Sequence, residues 1–385
     1  MIAPGSWLGV LGGGQLGRMF THAAQSLGYK VLVLDPDLAS PAGAAADLHL
    51  AAGYEDADAL DRVASECSAV TTEFENVPAS SLERLAQRIP TRPSAASVRV
   101  AQDRSLEKKS FTDIGLAVAP FRILRSAADC DGLDAAMLPG IVKTARMGYD
   151  GKGQVSVRTA ADVRHAFDAL GGQLCVIEQR VDLAMEISAL IGRSASGDVR
   201  VWPLAENQHR DGILDLSIVP ARVDDDVATR ARDAAVRLAE RLDYVGVLCV
   251  EMFITRTTGE LLINEMAPRP HNSGHWSIDG AYCSQFEQQC RVLAGLPLGE
   301  PGQHTPAVMV NVLGDVWFDD SMTAPSRTPG WDAVLAVPRA KLHLYGKAEP
   351  RRARKMGHVT CLGDTIDDAL ASAVRVKKIL GIPGG

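Results

Sequence analysis

The chain has 385 residues, of which 46% are hydrophobic and 23% charged, and carries a net charge of −7. That length allows two or three domains with ample core, and those fractions are ordinary for a soluble globular protein. The acidic balance excludes a broad nucleic-acid footprint, so an anionic substrate has to be caught by a local basic pocket.

The seven cysteines are scattered, odd in number and form no C-x-x-C pair, which argues against a disulfide framework or zinc cluster and for a reducing cytoplasm. The N-terminal MIAPGSWLGVLGGGQLG has no basic leader. No apolar run approaches the roughly 20 residues that span a bilayer, so no membrane partner is expected.

The first hundred residues alternate apolar runs with helical patterns. Trp7–Leu11 reads as a strand, Gln15–Leu27 as a helix, Lys30–Asp35 as a second strand and Ala69–Thr72 as a third. Strands separated by helices imply a parallel sheet. Asp103 caps a helix from Arg104 to about Ile114, which Gly115 stops. Then come a strand at Gly140–Thr144, a glycine loop at Gly148–Gly153, strands at Gln154–Val157 and Leu174–Glu178, and a helix at Ala160–Leu170 between them. Glu186–Ile191 and Val199–Ala205 read as further strands, and Asp226–Leu242 as a long helix. A hairpin joins Val245–Ile254 to Leu261–Met266, and the tail from Thr305 holds short strands and a last helix at about Ile366–Leu380.

Gly12-x-Gly14-x-x-Gly17 follows a strand and opens a helix, and Asp35 ends the next strand. Alone, that pattern reads as a dinucleotide fingerprint, but a helix N-terminus accepts any anion and such loops also close βα turns. The rest of the chain decides against it, because it supplies a second nucleotide site. Lys143 ends the apolar strand Gly140-Ile141-Val142, where a lysine is costly unless it meets an anion. The loop Gly148-Tyr149-Asp150-Gly151-Lys152-Gly153-Gln154 follows, with glycines free to wrap N–H groups around phosphate oxygens. The strand ending at Glu178-Gln179-Arg180-Val181 offers backbone groups to a base edge, and Glu186 stands in an otherwise apolar strand, as a ribose ligand or on an exposed face.

Glu251 and Glu265 each lie seven residues from Thr258, so regular pairing of the hairpin sets them face to face. Opposed β residues have Cβ atoms roughly 4.5–5.5 Å apart, a distance at which two carboxylates repel unless one protonates or a cation intervenes. Carboxylate oxygens with phosphates are what Mg²⁺ prefers. Strict alternation turns Asn264 to the other face. His271 and His275 read as substrate donors sooner than metal ligands, and His209 as a nucleotide contact or a turn residue. Arg269, Lys347 and Arg354 could converge on a phosphate, whereas the run Arg351–Lys355 could equally be a solvated charge cluster.

These residues, in this order, resemble the ATP-grasp superfamily over nearly the whole chain. The resemblance is to the N5-carboxyaminoimidazole ribonucleotide synthetase family in particular. It rests on Gly12-Gly13-Gly14-Gln15-Leu16-Gly17-Arg18-Met19, Glu73-Phe74-Glu75-Asn76-Val77-Pro78, the loop 148–154, Asn264-Glu265-Met266-Ala267-Pro268-Arg269-Pro270-His271-Asn272-Ser273-Gly274-His275-Trp276, Tyr345-Gly346-Lys347 and Arg354-Lys355-Met356-Gly357-His358. It implies a mixed α/β and α+β fold. A Rossmann-like pre-ATP-grasp domain would span 1–103, a small lid subdomain 104–190, and a large subdomain 191–385 with a C-terminal extension from about 305.

The resemblance implies ATP contacts at Arg104, Lys143, Gly148–Gln154, Glu178–Val181, Glu186, His209, Asn264 and Glu265, with Mg²⁺ or Mn²⁺ on Glu251 and Glu265. It places the ribonucleotide phosphate on Lys347 and Arg354, near Arg269, His271, Asn272 and Ser273. The aminoimidazole would lie against Gln15, Leu16, Tyr149 and Asp150, with Glu75, Lys143 and Arg269 at the reacting groups. The activity implied is ATP- and bicarbonate-dependent carboxylation of aminoimidazole ribonucleotide through carboxyphosphate, in purine biosynthesis. A homodimer and hand-off to a separate mutase are implied as well. Two departures stand out: Ala267 holds the place of an asparagine ligand of other ATP-grasp enzymes, and Met147 stands where a glycine is expected.

Overall fold

The computed structural model describes residues 1–146, 148, 153–319 and 327–384. The chain begins with β1 (Trp7–Leu11), α1 (Gln15–Ser26), β2 (Lys30–Leu34), β3 (Leu48–Leu50), α2 (Ala57–Glu66) and β4 (Ala69–Thr72). Its sheet has the order β3-β2-β1-β4 and is parallel throughout. Such strands are covered on both faces, which is why β1 and β2 are mostly apolar and all four residues of β4, Thr71 and Thr72 included, are buried. β3 is three residues long, too short to show a period in the sequence. The strand order reverses at β1, so the loop Gly12–Gly17 leaves the sheet at the switch point where α/β folds build ligand crevices.

Helices α3 (Ala79–Ala86), α4 (Ala95–Ala101) and α5 (Arg104–Asp113) follow. Asp103 caps α5, accepting the N–H groups of Ser105 and Leu106. The next unit holds β5 (Phe121–Leu124), β6 (Gly140–Thr144), β7 (Gln154–Val157), α6 (Ala160–Ala169) and β8 (Cys175–Gln179). It is an antiparallel sheet of order β5-β8-β6-β7, covered by Val163, Ala166 and Phe167 of α6.

The rest of the chain builds a larger antiparallel sheet from β9 (Leu183–Arg193), β10 (Val199–Val201), β11 (Ala205–Arg210), β12 (Ile213–Val219), β13 (Gly246–Thr255), β14 (Leu261–Ala267), β15 (Ala307–Leu313), β16 (Ala340–Leu344) and β17 (Lys355–Leu362). The order is β14-β13-β9-β11-β12-β15-β17-β16, with β10 on β9, so the tail strands continue this sheet. The helices of this part are α7 (Asp225–Arg241), α8 (Ser277–Gly280), α9 (Gln285–Ala294), α10 (Trp331–Leu335) and α11 (Ile366–Leu380). α7 packs Ala231, Ala235 and Leu238 on Leu248, Val250 and Met252. α9 lends Phe286, Cys290 and Leu293 to the core of the first sheet, against Leu8, Val10 and Phe20. Its Gln289 bridges the two sheets, donating to Thr71 Oγ1 at 2.8 Å and accepting Val247 N–H at 2.7 Å. Among the described residues no helix is long and apolar enough to cross a membrane.

Two local expectations change. Val199–Ala205 is not one strand: it breaks after Val201, and Pro203 lacks the N–H a ladder needs. Glu206–His209 is then no turn but part of β11, paired with β9 and β12.

Candidate active site

The lid sheet, the large sheet and the 74–76 loop of the N-terminal domain enclose one cavity of about 720 Å³, within the range of small-molecule sites. Lys143 projects into it from the end of β6 and meets an anion, as its burial demands. Its Nζ lies 3.1 Å from Glu178 Oε1 on β8. Lys108, one helical turn after Arg104 on α5, approaches the other oxygen at 3.1 Å and also donates to Asn264 O at 2.9 Å. Burial pushes the Glu178 carboxyl up, but Lys143 and Lys108 pull it down further, to about 2. Lys108 was missed in the sequence, although its spacing of four from Arg104 puts both on one helix face.

The lid loop is tied to the start of α5. Arg104 N–H donates to Ala145 O at 2.9 Å, and Arg146 pairs with Asp103 at 3.1 Å. Gly148 and Gln154 line the cavity. Tyr149, Asp150, Gly151 and Lys152, with Met147, lie outside the described residues. Gly153 is described, with φ +70°. Of the linker 178–181, Gln179 N–H donates to Pro120 O and Arg180 N–H to Pro139 O. Across the cavity, Glu186 accepts from His209 Nδ1 at 2.8 Å, joining β9 to β11. Burial lowers the His209 pKa, and Glu186 more than offsets this, so the net shift is upward.

The hairpin pairs Glu251 directly with Glu265. It is not regular, however. Met252 pairs with Ile263, so Asn264 is the extra residue of a β-bulge beside the acidic pair. The bulge breaks alternation and brings Asn264 into the cavity wall together with Glu265, where strict pairing turned it away. Glu265 Oε2 takes Arg104 Nη1 at 2.9 Å, and Glu251 Oε1 takes His271 Nε2 at 3.0 Å. Burial pushes Glu251 up; His271 and His209 hold it lower, at about 2. Glu107, also in the wall, accepts the Met266 N–H at 2.7 Å. Burial and then Glu265 raise its carboxyl to about 8.

These donors fit a hard divalent cation. Glu251 and Glu265 supply paired carboxylate oxygens, and Asn264 and Asn272 carry buried side-chain oxygens with no hydrogen-bond partner. No group of three or more His, Cys, Asp or Glu forms a metal cluster among the described residues, so beyond these oxygens an ion would rely on phosphate and water.

Arg269 lines the same cavity, its Nε donating to Glu75 Oε2 at 2.5 Å. Burial would raise the Glu75 carboxyl, but Arg269 drives it down to about 2. Asn272, His271 and Lys355 share the wall with Arg269. Lys355, read as one of a charge run, thus faces the site. Ser273 lies just behind, hydrogen-bonded to His271 Nδ1 at 2.9 Å. Gln15, Leu16, Lys347 and Arg354 are not in this lining. Leu16 packs in one cluster with Tyr345, Lys347 donates to Lys355 O at 2.6 Å, and Arg354 to Glu349 O at 2.9 Å. The N-terminal loop and the tail turn therefore meet beside the cavity. His275 is not in this lining; it is buried, with its ring tilted against that of His358 at 4.9 Å.

The dinucleotide fingerprint takes a different role. Gly13 N–H donates to Asp35 Oδ2 at 2.7 Å, and Gly14 and Gly17 N–H donate to Glu73 at 2.8 and 3.1 Å. The protein's own carboxylates fill the cradle. A Cβ on Gly14 would come within 2.5 Å of Glu73 Oε1, so glycine is required for that approach.

A small antiparallel lid and a larger sheet closing on one cleft, with a lysine on the lid and paired glutamates on the large sheet, define an ATP-grasp enzyme. The model of the ATP-grasp domain matches residues 109–286, that of the ribonucleotide synthetase preATP-grasp domain 6–102, and that of the phosphoribosylaminoimidazole carboxylase C-terminal domain 307–372. The chain belongs to the N5-carboxyaminoimidazole ribonucleotide synthase family of purine-biosynthetic ligases. It is 40% identical to the Bacillus subtilis synthase, over 96% of this chain and 94% of that one. It is 42% identical to the Brucella melitensis synthase, over 93% and 97%. The Thermus thermophilus synthetase structure superposes with a TM-score of 0.88 at 40% identity, over 97% and 98%. An Aspergillus clavatus synthase solved in complex with ADP and 5-aminoimidazole ribonucleotide gives 0.87 at 29%, over 98% and 99%.

Proposed function

We propose that this chain carboxylates the amine of 5-aminoimidazole ribonucleotide, using ATP and bicarbonate, to give N5-carboxyaminoimidazole ribonucleotide. The observation that carries the reading is that one cavity gathers the site's groups. It sets Lys143 with Glu178, the Glu251/Glu265 pair and the Glu75–Arg269 pair around one space.

A bicarbonate oxygen attacks the γ-phosphorus, the bond to ADP breaks, and carboxyphosphate forms. Lys143 swings from Glu178 to the phosphoryl oxygens and offsets their charge. Mg²⁺ or Mn²⁺, held by Glu251 and Glu265, would add Lewis-acid stabilisation to the same oxygens. Arg269, fixed by Glu75, faces the carboxyl group. Glu75 stays ionised at working pH and so holds Arg269 in place rather than moving protons. Carboxyphosphate is labile in water, so the site has to exclude solvent while it forms. The amine then attacks the carboxyl carbon, directly or after CO₂ is released, and phosphate leaves. Lys347 and Arg354, at the tail turn beside Leu16, anchor the ribonucleotide phosphate. The chemistry is positioning and electrostatics, with no covalent nucleophile. We place the enzyme in the cytoplasm as a homodimer, passing its carbamate to a separate mutase.

Purified protein should hydrolyse ATP only when bicarbonate and aminoimidazole ribonucleotide are both present. Equal hydrolysis with neither removes the substrate assignment.

A further inference from the structure

Helix α9 carries three glutamines that are shut away from solvent. Gln285, Gln288 and Gln289 are 0%, 0% and 1% exposed. Spaced i, i+3 and i+4, they share one face of the helix, while Phe286, Cys290 and Leu293 pack into the core of the first sheet. An apolar side chain at any of the three could be buried without stripping an amide of water. The amides therefore call for an account of what they hold.

Gln285 Oε1 accepts the His271 N–H at 2.8 Å, while its Nε2 donates to His271 O at 2.7 Å and lies 3.0 Å from His275 Nδ1. One side chain thus takes both main-chain groups of a single residue, as a neighbouring strand would. A Cβ on Gly274 would come within 2.5 Å of Gln285 Oε1, so the segment wraps the amide closely. Gln289 Oε1 accepts the Val247 N–H at 2.7 Å, at the start of β13, and its Nε2 donates to Thr71 Oγ1 at 2.8 Å, near the end of β4. Gln288 turns elsewhere: its Oε1 accepts the Gly299 N–H at 2.7 Å, in the stretch that follows the helix.

His271 and Thr71 are the roots of the two segments that meet at the Glu75–Arg269 pair. Arg269 stands just before His271, separated from it only by Pro270, whose ring fixes φ at that link. Glu75 follows Thr71 in a loop whose Glu73 is itself held by Gly14 and Gly17. The two segments close on each other through Arg269 Nε and Glu75 Oε2, 2.5 Å apart. Gln285 and Gln289 stand one helical turn apart, a rise of about 6 Å along the axis. One short helix therefore spans the distance between the root of a carboxylate from one domain and that of a guanidinium from another.

We infer that α9 is a positioning helix for the reaction: Gln285 fixes the Arg269–His271 segment and Gln289 the root of the Glu75 loop, which brings Glu75 and Arg269 into register. The inference rests on the reading that this pair faces the carboxyl group. A fully paired buried polar network rigidifies what it holds, and a misplacement of about 1 Å at a reacting group costs up to ~100-fold in rate.

The test compares Gln285→Met, Gln289→Met and Gln288→Met, each of which keeps the length of the side chain and removes its amide. Phosphate release at saturating bicarbonate and aminoimidazole ribonucleotide should show kcat lowered about 10–100-fold in the first two, with KM for ATP unchanged. Gln288→Met should keep the wild-type kcat although its melting temperature falls with theirs. Should Gln285→Met fail to fold, Gln289→Met is read in its place. An equal fall in all three, or wild-type kcat in either folded variant of Gln285 and Gln289, overturns the proposal. A double-mutant cycle separates positioning from general loosening. In a Glu75→Ala background the pair is already broken, so Gln289→Met should lower kcat by no more than about twofold further; a full second loss overturns the proposal. Glu75→Ala turning over at the wild-type rate removes the reading of that pair itself, a failure distinct from that of the helix.

Discussion

Glu73 accepts the Gly14 N–H at 2.8 Å, on the spot where a dinucleotide enzyme would seat a phosphate. The fingerprint is genuine as geometry and occupied as chemistry. NADH should therefore leave its fluorescence unchanged on mixing with the protein. Glu73→Ala should lose about 1–3 kcal/mol of stability, as two N–H groups lose their acceptor, measured as a shift in urea midpoint.

Glu265→Ala should lower turnover at least ~100-fold, the equivalent of a few kcal/mol of transition-state stabilisation, while circular dichroism and melting stay near wild type. Near-normal turnover would sink the assignment of the acidic pair.

Glu178 is the counter-ion of two lysines in a buried setting. Glu178→Gln leaves both ammonium groups without it and should cost about 3–5 kcal/mol in denaturant unfolding. The folded pKa of Glu178 is about 2 against an ordinary 4.5. Its stabilisation is thus complete above pH 4.5 and drains away as the pH falls towards 2, as does that of Glu75. The variant should show a shallower loss of stability across that acid range.

Glu107 runs the other way. Its carboxyl rises from 4.5 to about 8. The linked stability is present in full below pH 4.5 and is lost as the pH climbs through 8. Ligand-free Glu107→Gln keeps an oxygen for the Met266 N–H and should flatten the decline in urea midpoint between pH 6 and 8.5. An unaltered slope would assign that decline to other groups.

Much of the architecture was legible because each signal was local. Mostly apolar runs marked the parallel sheet, Asp103 and Gly115 bracketed a helix, and the spacing about Thr258 set Glu251 against Glu265. What escaped was set by tertiary contact. Lys108 lies on an unremarkable polar helix and gains meaning only when β8 brings Glu178 to it. The occupied glycine loop was unreadable because Glu73 comes from 59 residues away. The strand β11 was hidden because its apolar partners lie on neighbouring strands, and the bulge because nothing in Ile263-Asn264-Glu265 differs from a regular ladder.

That bulge has a genetic consequence. Deleting Asn264 alone would let β13 and β14 zip into an uninterrupted ladder from the turn to Glu265. The hairpin would gain regularity, and the adjoining cavity wall would lose an amide oxygen and the Asn264 carbonyl that steadies Lys108. A single in-frame codon loss would thus leave the facing of Glu251 and Glu265 in place while stripping the cavity wall beside them, a lesion of the site rather than of the hairpin.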